Sequence, residues 1–324
     1  MIEIEFTPED VARTRFVVSP LWEVIASVRV LKGADEQGIH RTWTDQVRGR
    51  LEAAKVDLTP LTDLIPVPTR ALAGFLCPPP TTPLTSLEVE LATLRATPLE
   101  LLRTTSDVAP ERIAALRADP ERELARLAES IQVYWELALA PYWPRILTFL
   151  EGDILFRARR LVEGGARSLF NDLDPQVTWD AGTLQVRNRF ACGRRTLDGR
   201  GLLLVPSAFV WPRVFSVLDG RWQPTLRYPP RGIGTLWSTP ARPVAPDALA
   251  GVLGRSRATL VAELVTPAST TDLARRTGLT PGGVSQHLSA LRAAGLVAGH
   301  RAGRVVLYAR TQAAETLLAA AHST

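Results

Sequence analysis

The sequence predicts an α+β protein: a mostly helical N-terminal region with a small β-sheet, followed by a C-terminal winged helix-turn-helix. Three observations predict it. Apolar residues recur at helical spacing through the first 175 positions. From Gln176 the period changes to alternation. From Ala248 an ordered series of caps, short helices and a basic hairpin begins. A length of 324 residues suits more than one domain. The expected divisions are 1–240, helical over 1–175 and β-rich over 176–240, and 246–324, with the proline-rich stretch from Thr239 to Pro246 as the linker.

In chain order, Ile2-Glu3-Ile4-Glu5-Phe6 alternates as a strand does, and Phe16-Val17-Val18 is a second short apolar run. Ser19-Pro20 reads as an N-cap followed by proline at the first helical position, and Leu21, Val24, Ile25, Val28 and Leu31 continue the stripe. A helix is expected around Thr42 to Lys55. Pro60 to Pro83 is read as an extended loop, because Cys77-Pro78-Pro79-Pro80 cannot sit inside a helix. Helices resume at Leu87 to Arg95 and Pro98 to Thr104, and a longer one starts near Pro120 with Leu124, Leu127, Ile131, Trp135 and Leu139 as its buried stripe. Pro141 and Pro144 break it. Arg145 to Asp172 reads as another long helix, weakened at Gly164-Gly165.

Beyond Gln176, Val177-x-Trp179 and Leu184-x-Val186 flank Asp180-Ala181-Gly182 as a hairpin. Leu202 to Val205, Phe209 to Trp211 and Thr225 to Tyr228 are further strand candidates.

The last segment carries the functional signal. Leu249, Leu253, Leu260 and Leu264 give an apolar helical stripe over Ala248 to Val265. A short helix from Asp272 to Thr277 is capped by the preceding Ser269-Thr270-Thr271 and closed by Gly278-Leu279. Thr280-Pro281 opens a second helix that stops at Gly295, so two short helices meet at a tight glycine-containing turn. Leu296-Val297 and Val305 to Tyr308 read as two strands joined by a basic loop from Ala298 to Arg304, the wing. A terminal helix covers Thr316 to Ala321.

At about 100° per residue, Val284, Leu288 and Leu291 share one face of the second helix. Gly282, Gln286 and Ser289 lie opposite, Ser285 at the flank and His287 near the core edge. An outward face of small and hydrogen-bonding groups without an acid suits base edges and phosphates, and Gln can bond adenine through both amide atoms. The expected double-stranded DNA contacts are Thr280, Gly282, Ser285, Gln286, His287, Ser289 and Arg292 on the helix, with Arg301 and Arg304 on the wing. His287 is more simply read as a packed structural residue.

Charge agrees. Pro246 to Thr324 holds eight arginines against four acids, and Leu273 to Arg310 holds six arginines and no acid. The preceding chain is nearly balanced, at 30 basic and 29 acidic residues. A basic stripe without acids marks a polyanion partner.

Leu273-Ala274-x-x-Thr277-Gly278-Leu279, Val284-Ser285-Gln286-His287-Leu288-x-x-Leu291-x-x-Ala294-Gly295-Leu296-Val297 and Gly303-Arg304-x-x-x-Tyr308 closely resemble the ArsR/SmtB-type winged-helix repressors, over the last quarter of the chain. The resemblance implies a homodimer on a near-palindromic operator, joined through the helices near Ala248 to Val265 and Thr316 to Ala321. The family's metal sensors carry cysteine pairs in the first helix of the turn, or Asp/His/Glu sets in the terminal helix. Here Thr271-Asp272-Leu273-Ala274 has no cysteine, and the terminal helix offers only Glu315 and His322. Metal sensing is not expected, and neither is a cofactor. The motifs Gly201-Leu202-Leu203-Leu204-Val205-Pro206-Ser207-x-Phe209-x-Trp211-Pro212 and Tyr228-Pro229-x-Arg231-Gly232-x-x-x-Leu236-Trp237 resemble a domain of unknown role that precedes such winged helices in larger regulators.

For the front region, aromatic doubling at Tyr134-Trp135 and Tyr142-Trp143, with Trp22, Trp43 and Trp211 nearby as candidates, suggests a pocket for a small-molecule effector. The alternative is a dimerisation scaffold without an effector. No G-x-S-x-G, P-loop or dinucleotide fingerprint is present, so an enzyme is not expected. Apolar runs such as Gly201 to Val205 are far short of the ~20 residues of a membrane span. The acidic N-terminus is unlike a signal peptide, and Cys77 and Cys192 read as free thiols. A cytoplasmic protein is the expectation.

Overall fold

The computed structural model describes the chain apart from residues 36, 69–70, 84, 103–107, 188–191, 219, 238–246, 266, 303–304 and 323–324. The expected linker falls among those, outside the described residues. The chain divides into two compact units. One comprises Met1–Leu147 and Ala158–Ile233; the other comprises Thr148–Arg157 and Gly234–Thr324.

In the first unit, β1 (Ile2–Glu5) leads to α1 (Pro8–Arg13), β2 (Arg15–Phe16) and α2 (Pro20–Arg29). Thr7 and Asp10 form a capping box that starts α1. Ser19 caps α2, accepting from Trp22 N at 3.0 Å, and all ten residues of α2 are buried. The helix continues as a π-turn over Val30–Ala34, where Gly33 takes φ 98°. α3 (Arg41–Ala54) and α4 (Thr59–Thr62) follow, then a 3₁₀ turn at Gly74–Leu76, α5 (Leu87–Arg95), α6 (Pro110–Ala118) and α7 (Pro120–Tyr134). The loop expected over Pro60 to Pro83 thus contains a helical turn at its start and a 3₁₀ turn within it. The helix expected over Pro98 to Thr104 is only a 3₁₀ turn, Leu99–Leu101, and its last positions lie outside the described residues.

The proline break after α7 takes a specific form. Trp135–Leu139 is a π-turn and Ala140–Tyr142 a 3₁₀ turn, and then α8 (Trp143–Phe170) begins with Pro144 in its first turn. Gly164 and Gly165 leave helical geometry inside α8, as their pairing in the sequence suggested. On the π-turn Trp135 is only half-buried; Tyr134 occupies the core instead.

β3 (Val177–Asp180) and β4 (Thr183–Val186) form the expected hairpin. Ala181 and Gly182 both adopt positive φ, 46° and 84°, as a two-residue turn of that hand requires. β5 (Gly193–Thr196), β6 (Leu203–Pro206), β7 (Phe215–Val217) and β8 (Thr225–Tyr228) complete the unit. The strands form two four-stranded sheets, ordered β3-β4-β1-β5 and β2-β6-β8-β7. The small sheet expected after residue 176 is therefore two sheets. Each recruits a strand from the N-terminus: β1 lies antiparallel to β4 and parallel to β5, and β2 lies parallel to β6. Phe209 to Trp211 is not a strand. It is a buried turn, with Phe209 packed on His40 and Trp43 at ring-centroid distances of 4.8 and 4.6 Å, so its apolar character reflects burial, not pairing. Gly201 is required where it stands: its φ is +68°, and a Cβ there would lie 2.6 Å from the Arg13 carbonyl carbon.

In the second unit the helix expected over Ala248 to Val265 is two, α9 (Asp247–Leu253) and α10 (Arg255–Glu263), broken by Gly254 at φ 80°. β9 (Ala268–Ser269), α11 (Thr270–Thr277), α12 (Pro281–Ala293), β10 (Val297–Ala302), β11 (Val305–Arg310) and α13 (Gln312–His322) follow. β9, unseen in the sequence, pairs with β11 and makes the wing a three-stranded sheet, β10-β11-β9. The terminal helix starts four residues before the expected Thr316. Leu249, Leu260, Leu264, Leu273, Val284, Leu288, Leu291, Val297, Leu307 and Leu318 are buried, and most share one apolar cluster. Among the described residues, no helix is long and apolar enough to cross a membrane.

Candidate nucleic-acid interface

The turn between α11 and α12 is closed by groups close in sequence. Ser269 Oγ accepts from Asp272 N at 3.1 Å and donates to the Asp272 carboxylate at 2.6 Å. Gly278, left-handed at φ 74°, donates its N–H to Ala274 O and ends α11. Thr280 Oγ1 accepts from Gly283 N at 3.2 Å and starts α12, with Pro281 where no amide partner is needed. α12 ends with Gly295 at φ 71°; its N–H donates to Arg292 O, and Leu296 N donates to Leu291 O. This doubled bond pattern stops a helix and turns the chain into a strand.

These closures fix which side of α12 faces solvent. Val284, Leu288 and Leu291 are buried, while Thr280, Gly282, Ser285, Gln286, Ser289 and Arg292 are exposed. His287 is half-buried, in keeping with the packing reading. Ser289 Oγ donates to Ser285 O at 3.0 Å, so its hydroxyl offers an outside partner only acceptor capacity.

The wing is longer than the sequence suggested. β10 and β11 pair from Val297↔Arg310 to Ala302↔Val305, so the basic stretch from Ala298 is largely strand. Arg301 is exposed on β10 opposite Val306. Arg304 and the tip lie outside the described residues. The six-arginine stripe needs one correction. Arg310 points inward, with a side chain only 12% exposed. Arg275, exposed, is paired with Asp272 at 3.0 Å.

The aromatic set of the front unit does not gather around one space. Tyr134 is buried, its hydroxyl 2.9 Å from Ser27 Oγ. Trp135 and Trp143 pack edge to face at 4.9 Å. Tyr142 donates to Gln46 Oε1 at 2.6 Å, under the Arg50 guanidinium. Trp22 and Trp43 are core residues, and Trp43 Nε1 donates to Ala138 O at 3.0 Å. The doubling reflects packing on both sides of the break at Pro141.

Sequence reasoning missed the buried charges of this unit. Glu23 on α2 accepts from Ala208 N through both oxygens, at 3.2 and 3.1 Å, and burial pushes its carboxyl up to about 8. Glu90 on α5 accepts from Ser19 Oγ at 2.6 Å and Leu21 N at 2.7 Å, closing the start of α2; burial pushes it up to about 7. The Arg227 guanidinium lies over Trp22 at 4.2 Å and donates to Cys77 O at 2.8 Å. None has a local signal, because each partner is distant in sequence. A polar cleft of about 410 Å³ lies where the π-turn meets α3, between Gly33, Asp35, Arg41, Asp45 and Arg48.

Residues 259–298 match the family described as bacterial regulatory protein, arsR family. Residues 92–233 match a family of unknown function, DUF5937. No curated protein and no solved structure matches the chain. An ArsR-type winged helix thus stands behind a domain of unknown function, the arrangement of a large ArsR-type regulator.

Proposed function

We propose that this chain, a DNA-binding transcriptional regulator by its ArsR-type domain, is a repressor that binds a near-palindromic operator as a homodimer. The observation that carries the reading is the outward face of α12. Gln286, Ser285 and Ser289 stand exposed with no acid among them, beside Arg292 and next to a basic wing. Side chains of this kind read base edges in a major groove, while arginines on the flanks hold phosphates. Dimerisation through α9 and α13 is supported by exposed apolar residues on both, Val252 at 81% and Leu317 at 41% exposure.

Selection of bound duplexes from a random pool tests the reading. The full chain is expected to enrich an inverted repeat, and Gln286→Ala to change the enriched bases more than the affinity for random duplex. Enrichment of no sequence would overturn it, and so would an unchanged preference in the variant.

Control by a small-molecule effector in the front unit is the further part of the proposal; the cleft beside α3, lined by Asp35, Arg41, Asp45 and Arg48, would suit a small polar ligand and not an apolar one. The dispersed aromatic set favours a second reading, in which the front unit is only a dimerisation scaffold. A metabolite extract that alters operator occupancy separates the first from the second.

A further inference from the structure

Arg310 ends β11, opposite Val297 at the open end of the wing hairpin. Its Nε donates to Val261 O at 2.6 Å and its Nη2 to Ala262 O at 2.5 Å. Its Nη1 lies 3.4 Å from Glu315 Oε2 on α13. Val261 and Ala262 belong to the last turn of α10, whose final carbonyls have no partner within the helix and carry the negative end of its dipole. A guanidinium presents two N–H groups in a fixed fork and can hold two successive carbonyls at once. An ammonium on a flexible stem lacks that geometry. One side chain therefore ties together the wing, the end of α10 and the start of α13.

The backbone alone does not supply this hold. β9 pairs with β11 only at Leu307 and Tyr308, which sets register within the sheet. Thr311 N donates to Leu296 O, which joins the two wing strands to each other at their base. Neither bond fixes the tilt of the hairpin against α10. Tilt matters because the wing is a lever. The described strand runs from Arg310 back to Val305, five residues or roughly 17 Å, so a rotation of about 5° at the root displaces its far end by roughly 1.5 Å. That is enough to lose a hydrogen bond to a phosphate.

We propose that Arg310 is a positioning residue for DNA binding: by clamping the root of the wing to the last turn of α10, it sets where Arg301 and Arg304 meet the phosphate backbone. It touches no DNA itself. The inference rests on the reading of the wing as a DNA-contacting element.

The test is the salt dependence of affinity for a random-sequence duplex. It is measured on the full chain for the wild type, Arg310→Lys, the wing variant Arg301→Ala/Arg304→Ala, and the three substitutions combined. Arg310→Lys keeps the charge and removes the fork. The expected result is a slope reduced by roughly one to two in both the Arg310→Lys chain and the wing variant. The triple variant is expected to bind no more weakly than the wing variant, because the clamp acts only through the wing. A purely structural role would lower the unfolding midpoint of Arg310→Lys and leave its slope at the wild-type value, and that result overturns the inference. Losses that add in the triple variant overturn it too. A wing variant with the wild-type slope would overturn both the reading of the wing and the inference. A reduced slope there, with an unchanged one in Arg310→Lys, overturns the inference alone.

Discussion

In the C-terminal unit, α11 and α12 are closed by Ser269, Gly278, Thr280 and Gly295, each within a few residues of the groups it satisfies. In the N-terminal unit, the start of α2 is closed in part by Glu90, 71 positions from Ser19, and Glu23 on the same helix holds an amide 185 positions away. The two units also place charge differently. The C-terminal unit exposes Arg292 and Arg301 on α12 and the wing and buries Asp153, Arg157 and Glu263 elsewhere; the N-terminal unit buries Glu23, Glu90 and Arg227, which reach partners far away in the chain. A helix-turn-helix built from local closures needs few distant contacts to shape its outward face. A unit built on buried charge depends on long-range geometry and on protonation.

The contrast is open to direct attack. The largest effect is expected from Leu288→Ala, which empties space beneath the outward face of α12. It should destabilise the C-terminal unit by about 2–5 kcal/mol and abolish operator binding. Urea denaturation followed together with DNA binding checks this, and near-normal binding would show that the face does not depend on that core.

Next comes the pH response of the N-terminal unit. Glu23 and Glu90 titrate in the folded chain at about 8 and about 7, against an ordinary value of 4.5, because burial favours the neutral carboxyl. The stability this neutral form contributes is full below about pH 4.5 and is lost as pH rises through about 7 to 8. Glu23→Gln keeps an acceptor and removes the proton exchange. The variant should gain on the wild type as pH rises from 5 to 8.5, by an amount on the order of a few kcal/mol. Unfolding midpoints that run parallel across that range would mean Glu23 does not carry the effect.

A smaller change belongs to Thr280→Ala, which leaves Gly283 N without its side-chain acceptor. It should cost about 1 kcal/mol, restored by Thr280→Ser, with no change in pH dependence. A loss that the serine does not repair would point away from capping.

The same contrast explains what could be read in advance. Ser269, Gly278, Thr280 and Gly295 announce the helix-turn-helix because a cap, a left-handed glycine and a proline at the first position each act within one turn of chain. The β3–β4 hairpin and the Gly164-Gly165 weak point are equally local. The membership of the two sheets was hidden, since β1 and β2 pair with strands that come roughly 180 residues later. The buried turn at Phe209 looked like a strand because burial and pairing select the same residue types. Arg310 looked like one more surface cation, for nothing within its own strand shows that the carbonyls of Val261 and Ala262 lie in front of it. The surroundings of the aromatic quartet were hidden for a related reason: the partners of Tyr134 and Tyr142, Ser27 and Gln46, lie 107 and 96 positions away.

In the proposed function the α12 face and the wing form one DNA-reading surface. The most direct test is the slope of log affinity against log salt for duplex binding, compared between the wild type and Arg301→Ala/Arg304→Ala. A steep slope is expected for the wild type and one shallower by roughly 1.8 for the variant, the change that two lost phosphate contacts would make. Equal slopes, or a wild type whose duplex binding ignores salt, would contradict it.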